Sequence, residues 1–305
     1  MSANKPTLLE GINNWIERSI TIKLIVIGIL IALLMIPVSM IENLIGERQY
    51  RQEEAIKEVS SKWGEKQTVT GIVLTIPYRI YTKQFEAGST EKFKLIESKG
   101  MAHFLPESLK IKGDILPETR YRGIYEVIVY NSKINLTGNF TVPDFSEWKV
   151  NKEDIDWGDA YISLGLSDLR SIQDSIFVQW DDRKYFFNPG LQSTVVVQKG
   201  MTTPLPLKQP DSTTTKYNFS LNLDFNGSSS LNFIPLGKVT QVNISSKWQN
   251  PSFNGAFLPD KREINSDGFT ADWEVLHLNR SYPQKFNGTV EGINESSCGV
   301  NLFAP

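Results

Sequence analysis

Tyr217-Asn218-Phe219-Ser220-Leu221-Asn222-Leu223-Asp224-Phe225 alternates apolar and polar side chains without a break. That period of two belongs to a β-strand with one face on a core and the other in water. Working outward, Val69–Ile76, Gly123–Tyr130, Lys133–Phe140, Phe177–Trp180, Ser193–Gln198 and Val239–Trp248 also read as strands, being rich in β-branched and aromatic residues. Pro77 is expected to end the first, because proline donates no ladder hydrogen bond. Gly, Pro, Asn and Asp separate the runs. No long amphipathic helix is legible between Lys66 and Pro305, although Asp144–Trp148 and Ser167–Asp174 read as short helical turns. The fold class is therefore mainly β, a large antiparallel β-sandwich-like domain over 65–305. An echo suggests two related halves. Gly138-Asn139-Phe140-Thr141-Val142-Pro143-Asp144 resembles Gly255-Ala256-Phe257-Leu258-Pro259-Asp260, each after a Ser-Lys pair, with a half boundary near the proline-rich stretch 202–215.

Before this domain the chain is of another kind. Leu24–Ile41 (LIVIGILIALLMIPVSMI) carries no charge over 18 residues. As a helix it covers about 27 Å, close to the hydrocarbon thickness of a bilayer. The run exceeds the apolar core of a signal peptide, Glu10 and Glu17 precede it, and no small-x-small site follows, so it reads as an uncleaved anchor. The preceding 1–23 reads as a cytoplasmic or interfacial segment, with Thr7 and Glu10 as a capping box and Trp15 at headgroup level. Residues 42–64 read as a helical stalk. Glu47/Arg51, Glu53/Lys57 and Glu58/Lys62 are favourable i, i+4 pairs, Ile56, Val59 and Trp63 form an apolar stripe, and Gly64 is a stop. A partner-binding helix is the other reading. Lys5, Arg18 and Lys23 balance Arg48, Arg51 and Lys57, so charge counting leaves orientation open; Lys23 abuts the span and tips it toward an N-terminus inside.

Composition narrows the chemistry. The 305 residues are 40% hydrophobic and 22% charged, enough for a sizeable core. A net charge of −2 argues against a nucleic-acid partner. A single cysteine, Cys298, excludes an intrachain disulfide framework. No nucleophile elbow, phosphate loop, dinucleotide fingerprint or zinc-protease motif occurs. His103, His277 and Cys298 read as structural rather than catalytic. Asp156/Asp159, Asp181/Asp182 and Asp267/Asp272 could serve a glycan hydrolase as acid and base, but aspartates at such spacings usually form turns. Trp148, Trp157, Trp180, Tyr185, Phe186 and Phe187 could stack on sugars, or fill a core. Eight Asn-x-Ser/Thr triplets occur, Asn135, Asn139, Asn243 and Asn287 among them. No cofactor is implied.

Ordered motifs then converge. They are Ile36-Pro37, Glu47-Arg48, Tyr50-Arg51, His103-Phe104-Leu105-Pro106-Glu107-Ser108-Leu109, Arg122-Gly123-Ile124-Tyr125 and Ser167-Asp168-Leu169-Arg170. Pro251 to Pro259, Lys261-Arg262-Glu263 and Gly268-Phe269-Thr270-Ala271-Asp272-Trp273 complete the order. In these the chain resembles the N-terminal part of the CreD family, bacterial inner-membrane proteins linked to cell envelope integrity. Ile72 stands where the family usually shows proline, and Ser171 where glycine is common. Family members continue with C-terminal transmembrane helices, ahead of which this sequence stops.

The resemblance implies an inner-membrane protein with a periplasmic β-rich domain, induction by a carbon-responsive two-component system, and no established reaction or catalytic residue. The expected function is thus non-enzymatic, contributing to envelope integrity or stress response through periplasmic contacts. Expected partners are the lipid bilayer and other envelope proteins or glycans; the oligomeric state stays open. Rival readings are a ligand-sensing or accessory subunit of a membrane assembly and an envelope glycan hydrolase. As interaction or structural residues the motifs nominate Arg122, Gly123, Asp168 and Arg170, as a polar site or a salt bridge beside a glycine bend. Phe253, Gly255, Phe257 and Pro259 are nominated as a turn that fills the core or an exposed ridge.

Overall fold

A computed structural model describes residues 20–85, 93–211 and 213–303. The segment around Thr7, Glu10 and Trp15 lies outside the described residues. The described chain begins with one helix, α1 (Ile20–Trp63), of 44 residues. From Lys23 it is long and apolar enough to cross a membrane. Its large apolar side chains from Leu24 to Ile45 are exposed, which a helix surrounded by water would not sustain. Of the three expected ion pairs, Glu47–Arg51 (2.9 Å) and Glu58–Lys62 (3.1 Å) form. The chain divides into two compact units, Met1–Ala55 and Ile56–Pro305. The division falls inside the expected stalk, so Ile56–Trp63 belongs to the body.

The strands follow in chain order as β1 (Gln67–Phe85), β2 (Phe93–Phe104), β3 (Ser108–Arg122), β4 (Tyr125–Thr141), β5 (Tyr161–Leu166) and β6 (Phe177–Trp180). Next are β7 (Arg183–Phe186), β8 (Asn188–Pro189), β9 (Gly200–Pro204), β10 (Lys216–Ser228), β11 (Ser230–Ile234) and β12 (Val239–Ser246). The last are β13 (Pro251–Gly255), β14 (Lys261–Asn265), β15 (Gly268–Leu276), β16 (Lys285–Phe286) and β17 (Cys298–Leu302). One sheet runs β13-β17-β11-β1-β5-β9-β8, with β2 pairing β1 and β16 pairing β2. The other runs β14-β15-β12-β3-β4-β10-β6-β7. Both sheets feed one hydrophobic cluster, giving a sandwich-like body. Pairing is antiparallel apart from two parallel neighbours, β1 with β11 and β3 with β12, which the all-antiparallel expectation lacked.

The second sheet has one wet face. In β3, Leu109, Ile111 and Ile115 are buried while Lys110, Lys112 and Asp114 are exposed; β10, β12 and β15 repeat the alternation. This explains half of the eight Asn-x-Ser/Thr triplets. At Asn135, Asn139, Asn218 and Asn243 the Asn and the hydroxyl residue are i and i+2 on a strand, so both point outward.

The first sheet is different. Val69, Ile72 to Leu74, Ile76, Tyr78 and all of β5 are buried, so both its faces are covered. Ser193–Gln198, expected as a strand, is a loop lying against this sheet, with Val196 and Val197 buried. A Cβ at Gly165 would stand 2.9 Å from the Val197 side chain. The loop is apolar because it packs, not because it pairs.

Two other expectations change. β1 continues through Pro77 to Phe85. Pairing with β5 stops at Thr75, and the Pro77 carbonyl accepts from the Asp156 amide (3.0 Å), so the missing N–H faces an edge that no strand occupies. Gly123 belongs to the turn before β4 rather than to a strand, and β4 is one 17-residue element where two were expected. The short turns at Ser146–Trp148 and Leu169–Ser171 are 3₁₀ helices. The copies of the internal echo occupy unlike places. Ser132 to Thr141 is one continuous stretch of β4, whereas Ser246 ends β12 in one sheet and Gly255 ends β13 in the other.

His103 sits in the doubly covered region. Its Nδ1 lies 2.9 Å from Thr75 Oγ1, and its ring is 5.3 Å from that of Phe286. Burial pushes its pKa down to about 4. The unfolded chain takes up that proton near pH 6.5, so stability falls as pH drops from about 6.5 to about 4 and is fully present above that window. Replacing His103 by Gln should remove roughly 3 kcal/mol of the loss in stability between pH 7 and pH 4. Urea unfolding of both proteins at the two pH values checks this, and identical pH dependence contradicts it.

Candidate functional site

The nominated residues cluster in part where the helix enters the body. Gly64 follows α1, its amide donating to the Ser60 carbonyl (2.8 Å). A Cβ there would stand 2.7 Å from the Asn226 carbonyl oxygen, so the chain passes β10 only as glycine. The final turns of α1 lie on the β3–β4 hairpin. Glu58 pairs with Arg122 (2.7 Å), the Trp63 indole N–H donates to the Tyr130 carbonyl (3.2 Å), and Arg120 stacks over the Trp63 ring at 4.8 Å. Ser228 Oγ donates to Ser60 Oγ at 2.8 Å. Register puts Val127 on the face of β4 that carries Arg120. Val127 and Val129 are buried yet stand outside the main core, whereas Ile128 and Tyr130, on the opposite face, belong to it. The helix end therefore covers a second, small apolar patch. Bonds from Lys62 and then Arg122 hold the Glu58 carboxyl below the usual carboxylate range.

A buried polar knot follows. Gln67, fully buried, shares its amide protons among Ser171 Oγ (2.8 Å), Asn226 O (3.1 Å) and Asp168 O (3.3 Å), and its oxygen accepts from the Asp168 amide (3.1 Å). The Asp168 carboxylate accepts from Arg170 Nε (2.8 Å) and from the Glu65 amide (3.3 Å). Hydrogen bonds from Arg170 hold its pKa below the ordinary value despite burial. Arg170 also meets Glu65 at 3.2 Å. Arg122 and Arg170 thus do not share one site. Each braces a different stretch of the helix exit, Glu58 for the first and Glu65 for the second.

Asp168, Arg170 and Glu65 also line an open groove of about 550 Å³, whose opposite wall holds Leu191 and Lys199. Its charges are largely spent on one another, Lys199 excepted among the described residues. The groove can hold a small polar ligand, while the knot beneath it is satisfied by the protein alone.

The late motif is elsewhere. Phe253 on β13 packs edge-on against Phe269 and Trp273 of the opposite sheet, both at 5.7 Å. Gly255 has φ +95, and a Cβ would stand 2.2 Å from the Ser297 carbonyl. The Phe257 carbonyl accepts the Trp273 indole N–H (3.1 Å), and half-buried Pro259 leads into Asp260, which accepts from the Glu274 amide (2.7 Å). The motif carries the chain from an edge of one sheet to an edge of the other.

The remaining candidates are dispersed. Asp154 and Asp156 face Arg79, while Asp159 faces Lys99. Asp181 accepts from the Asn218 amide, and Asp272 from Asn243. Trp180 is buried and stacks on Tyr217, whereas Phe186 is exposed beside Phe177. Cys298 is enclosed, its thiol pushed up to about 12 by burial. Among the described residues no three His, Cys, Asp or Glu side chains gather as a metal set. Sequence reasoning missed Gln67, Tyr130, Asn226 and Ser228. Gln67 and Asn226 are 159 positions apart, and a lone glutamine at a strand start carries no signal.

Replacing Gln67 by Leu leaves the Asp168 amide without its acceptor and takes a donor from Ser171 Oγ and the Asn226 carbonyl, while the Asp168 carbonyl keeps the Ser171 hydroxyl. It should cost about 3 kcal/mol or more in body stability, measured by urea unfolding in detergent. A loss below 0.5 kcal/mol, the size of an ordinary surface change, contradicts the knot.

Against known proteins, a family model described as "Inner membrane protein CreD" matches residues 19–305. The Escherichia coli K12 protein named "Inner membrane protein CreD" is 33% identical over 263 residues, 84% of this chain and 55% of that protein. The chain therefore spans about half the length of this curated relative. With a family match over nearly all the described residues, an apolar helix able to span a bilayer and a two-sheet body, the chain belongs to the CreD family of inner membrane proteins.

Proposed function

We propose that the chain works as a non-enzymatic, membrane-anchored envelope protein. Its β body stands in the periplasm and supports envelope integrity by engaging neighbouring envelope proteins or glycans. The observation that carries this reading is the helix exit. The helix that bears the apolar run does not end in a loose linker; its last turns are part of the body through Glu58–Arg122, Trp63–Tyr130 and the Gln67 knot. The body includes the last turns from Ile56, so its surfaces keep a constant relation to the helix end, as an interaction platform requires. A free catalytic domain gains nothing from it. The Asp156/Asp159, Asp181/Asp182 and Asp267/Asp272 pairs lend no support to a hydrolase, since several of these carboxylates are engaged in separate ion pairs and turns.

The groove beside Asp168 favours a second reading, a ligand-sensing subunit, because a molecule bound there would touch Glu65 and Arg170 at the point where the helix joins the body.

Topology is tested by fusing alkaline phosphatase or β-galactosidase after Leu302. The periplasmic body predicts an active phosphatase and an inactive β-galactosidase; the reverse pattern overturns it.

A further inference from the structure

β1 and β2 outrun their neighbours. The two strands pair from Leu74–Phe104 out to Phe85–Phe93. β5 pairs β1 no further than Thr75, a single bridge joins Tyr78 to Ile155, and β16 pairs β2 only at His103 and Phe104. From Ile80 and Ser98 outward the sheet is thus a ribbon of two strands. Such a ribbon is marginal in water; a third strand or a covering layer ordinarily steadies it. β2 is accordingly exposed from Phe93 to Lys99 and buried only from Ala102 on. The ribbon nonetheless carries large apolar side chains, Ile80 and Ile96 on one face and Tyr81 and Leu95 on the other, all of them exposed.

Its two edges differ. At the root of the β1 edge another segment lies across the strand, with the Asp156 amide on the Pro77 carbonyl and Arg79 on the Glu153 carbonyl. Among the described residues no strand pairs the outer edge of β2 over 94–101. An open edge of that length is a template for a further strand. The edge reads Lys94-Leu95-Ile96-Glu97-Ser98-Lys99-Gly100-Met101. When a strand pairs antiparallel with its own copy across a two-fold axis, opposed residues share a face, so their numbers are both odd or both even. Centring the pair on Leu95 or Ile96 sets Glu97 against Phe93 or Leu95. Centring it on Glu97 sets two carboxylates together, and on Lys99 it sets Glu97 against Met101. Only the register centred on Ser98 opposes Glu97 and Lys99, and symmetry forms that ion pair twice. The same register brings Leu95 opposite Met101. Lys99 meets Asp159 of its own chain at 3.8 Å, a loose pair exposed on both sides that a nearer carboxylate can share.

We propose that two copies of the chain join through this edge: β2 of one lies antiparallel against β2 of the other, centred on Ser98. Two ribbons of two strands then become one sheet of four, which supplies the width that each lacks alone. The reciprocal charges favour a second copy over an unrelated strand, since the edge complements itself. The pairing does not depend on the side of the membrane on which the body stands.

The test uses the full chain in detergent micelles, where sedimentation equilibrium should show monomer and dimer. Ser98→Cys sets two thiols opposite each other, so mild oxidation should give a covalent dimer. Leu95→Cys should give none, because its two copies lie about 20 Å apart along the paired strands. Cys298 is enclosed, so the unsubstituted chain serves as the blank. Glu97→Lys should weaken the dimer about tenfold or more, and adding Lys99→Glu should restore it. Circular dichroism should be the same for all variants, which separates lost pairing from lost fold. A chain that stays monomeric overturns the proposal, as does a dimer that crosslinks equally at 95 and 98 or ignores the charge exchange. A chain monomeric in detergent whose Ser98→Cys variant is captured by a different protein in native membranes also overturns it, and assigns the edge to a partner's strand.

Discussion

A buried amide, that of Gln67, joins three parts of the chain that would otherwise part company. It lies just past the helix end and bonds to the Asp168–Ser171 turn and to β10. Buried amides are expensive unless they find partners, and here the Gln67 nitrogen donates and its oxygen accepts. The surrounding geometry depends on this satisfaction. Gly64 slips past Asn226 because no side chain intervenes, Glu65 bonds to both Asp168 and Ser228, and Trp63 is laid on the β3–β4 hairpin. The electrostatic pairs at this junction are partly exposed and contribute little each. The interior bonds and the covering of Val127 and Val129 do more.

Seen from the fastening outward, the body is asymmetric for a reason. The sheet that begins at Gln67 is central and covered on both faces, with runs such as Ile72 to Leu74 wholly apolar. The other sheet turns a polar ladder of Asn, Thr, Gln and Lys to solvent. The strand attached to the helix starts in the interior of the body, paired on both sides. The late motif closes the far corner, where Phe253 and Trp273 bridge the sheets and Gly255 admits the Ser297 carbonyl.

How much of this was legible follows from how local each signal is. The apolar helix and the alternating strands, β10 above all, announce themselves because periodicity and burial coincide. β3 hides because Gly113 occupies an inward position; a Cβ there would stand 2.6 Å from Ile134 and 2.7 Å from Ile244, whose side chains fill the place. β1 looks as though it ends at Pro77, since whether proline is tolerated depends on an edge that only tertiary structure defines. Ser193–Gln198 has the composition of a strand but the role of a cover. Of the site, Arg122, Asp168 and Arg170 were visible only as members of the motifs in which the chain resembles the CreD family. Their partners Glu58, Glu65 and Gln67 lie 64 to 105 positions away, beyond any local pattern.

The fastening of the helix end to the body is most directly measured by the spread of distances between two spin labels, one at Lys57→Cys on the exposed side of the helix and one at Lys112→Cys on the wet face of the sheet. Pulsed electron–electron resonance on the membrane-inserted protein should give a single narrow distribution that broadens in Gln67→Leu. A broad distribution in the unsubstituted chain would mean that the helix end swings free, and the account built on it would be wrong.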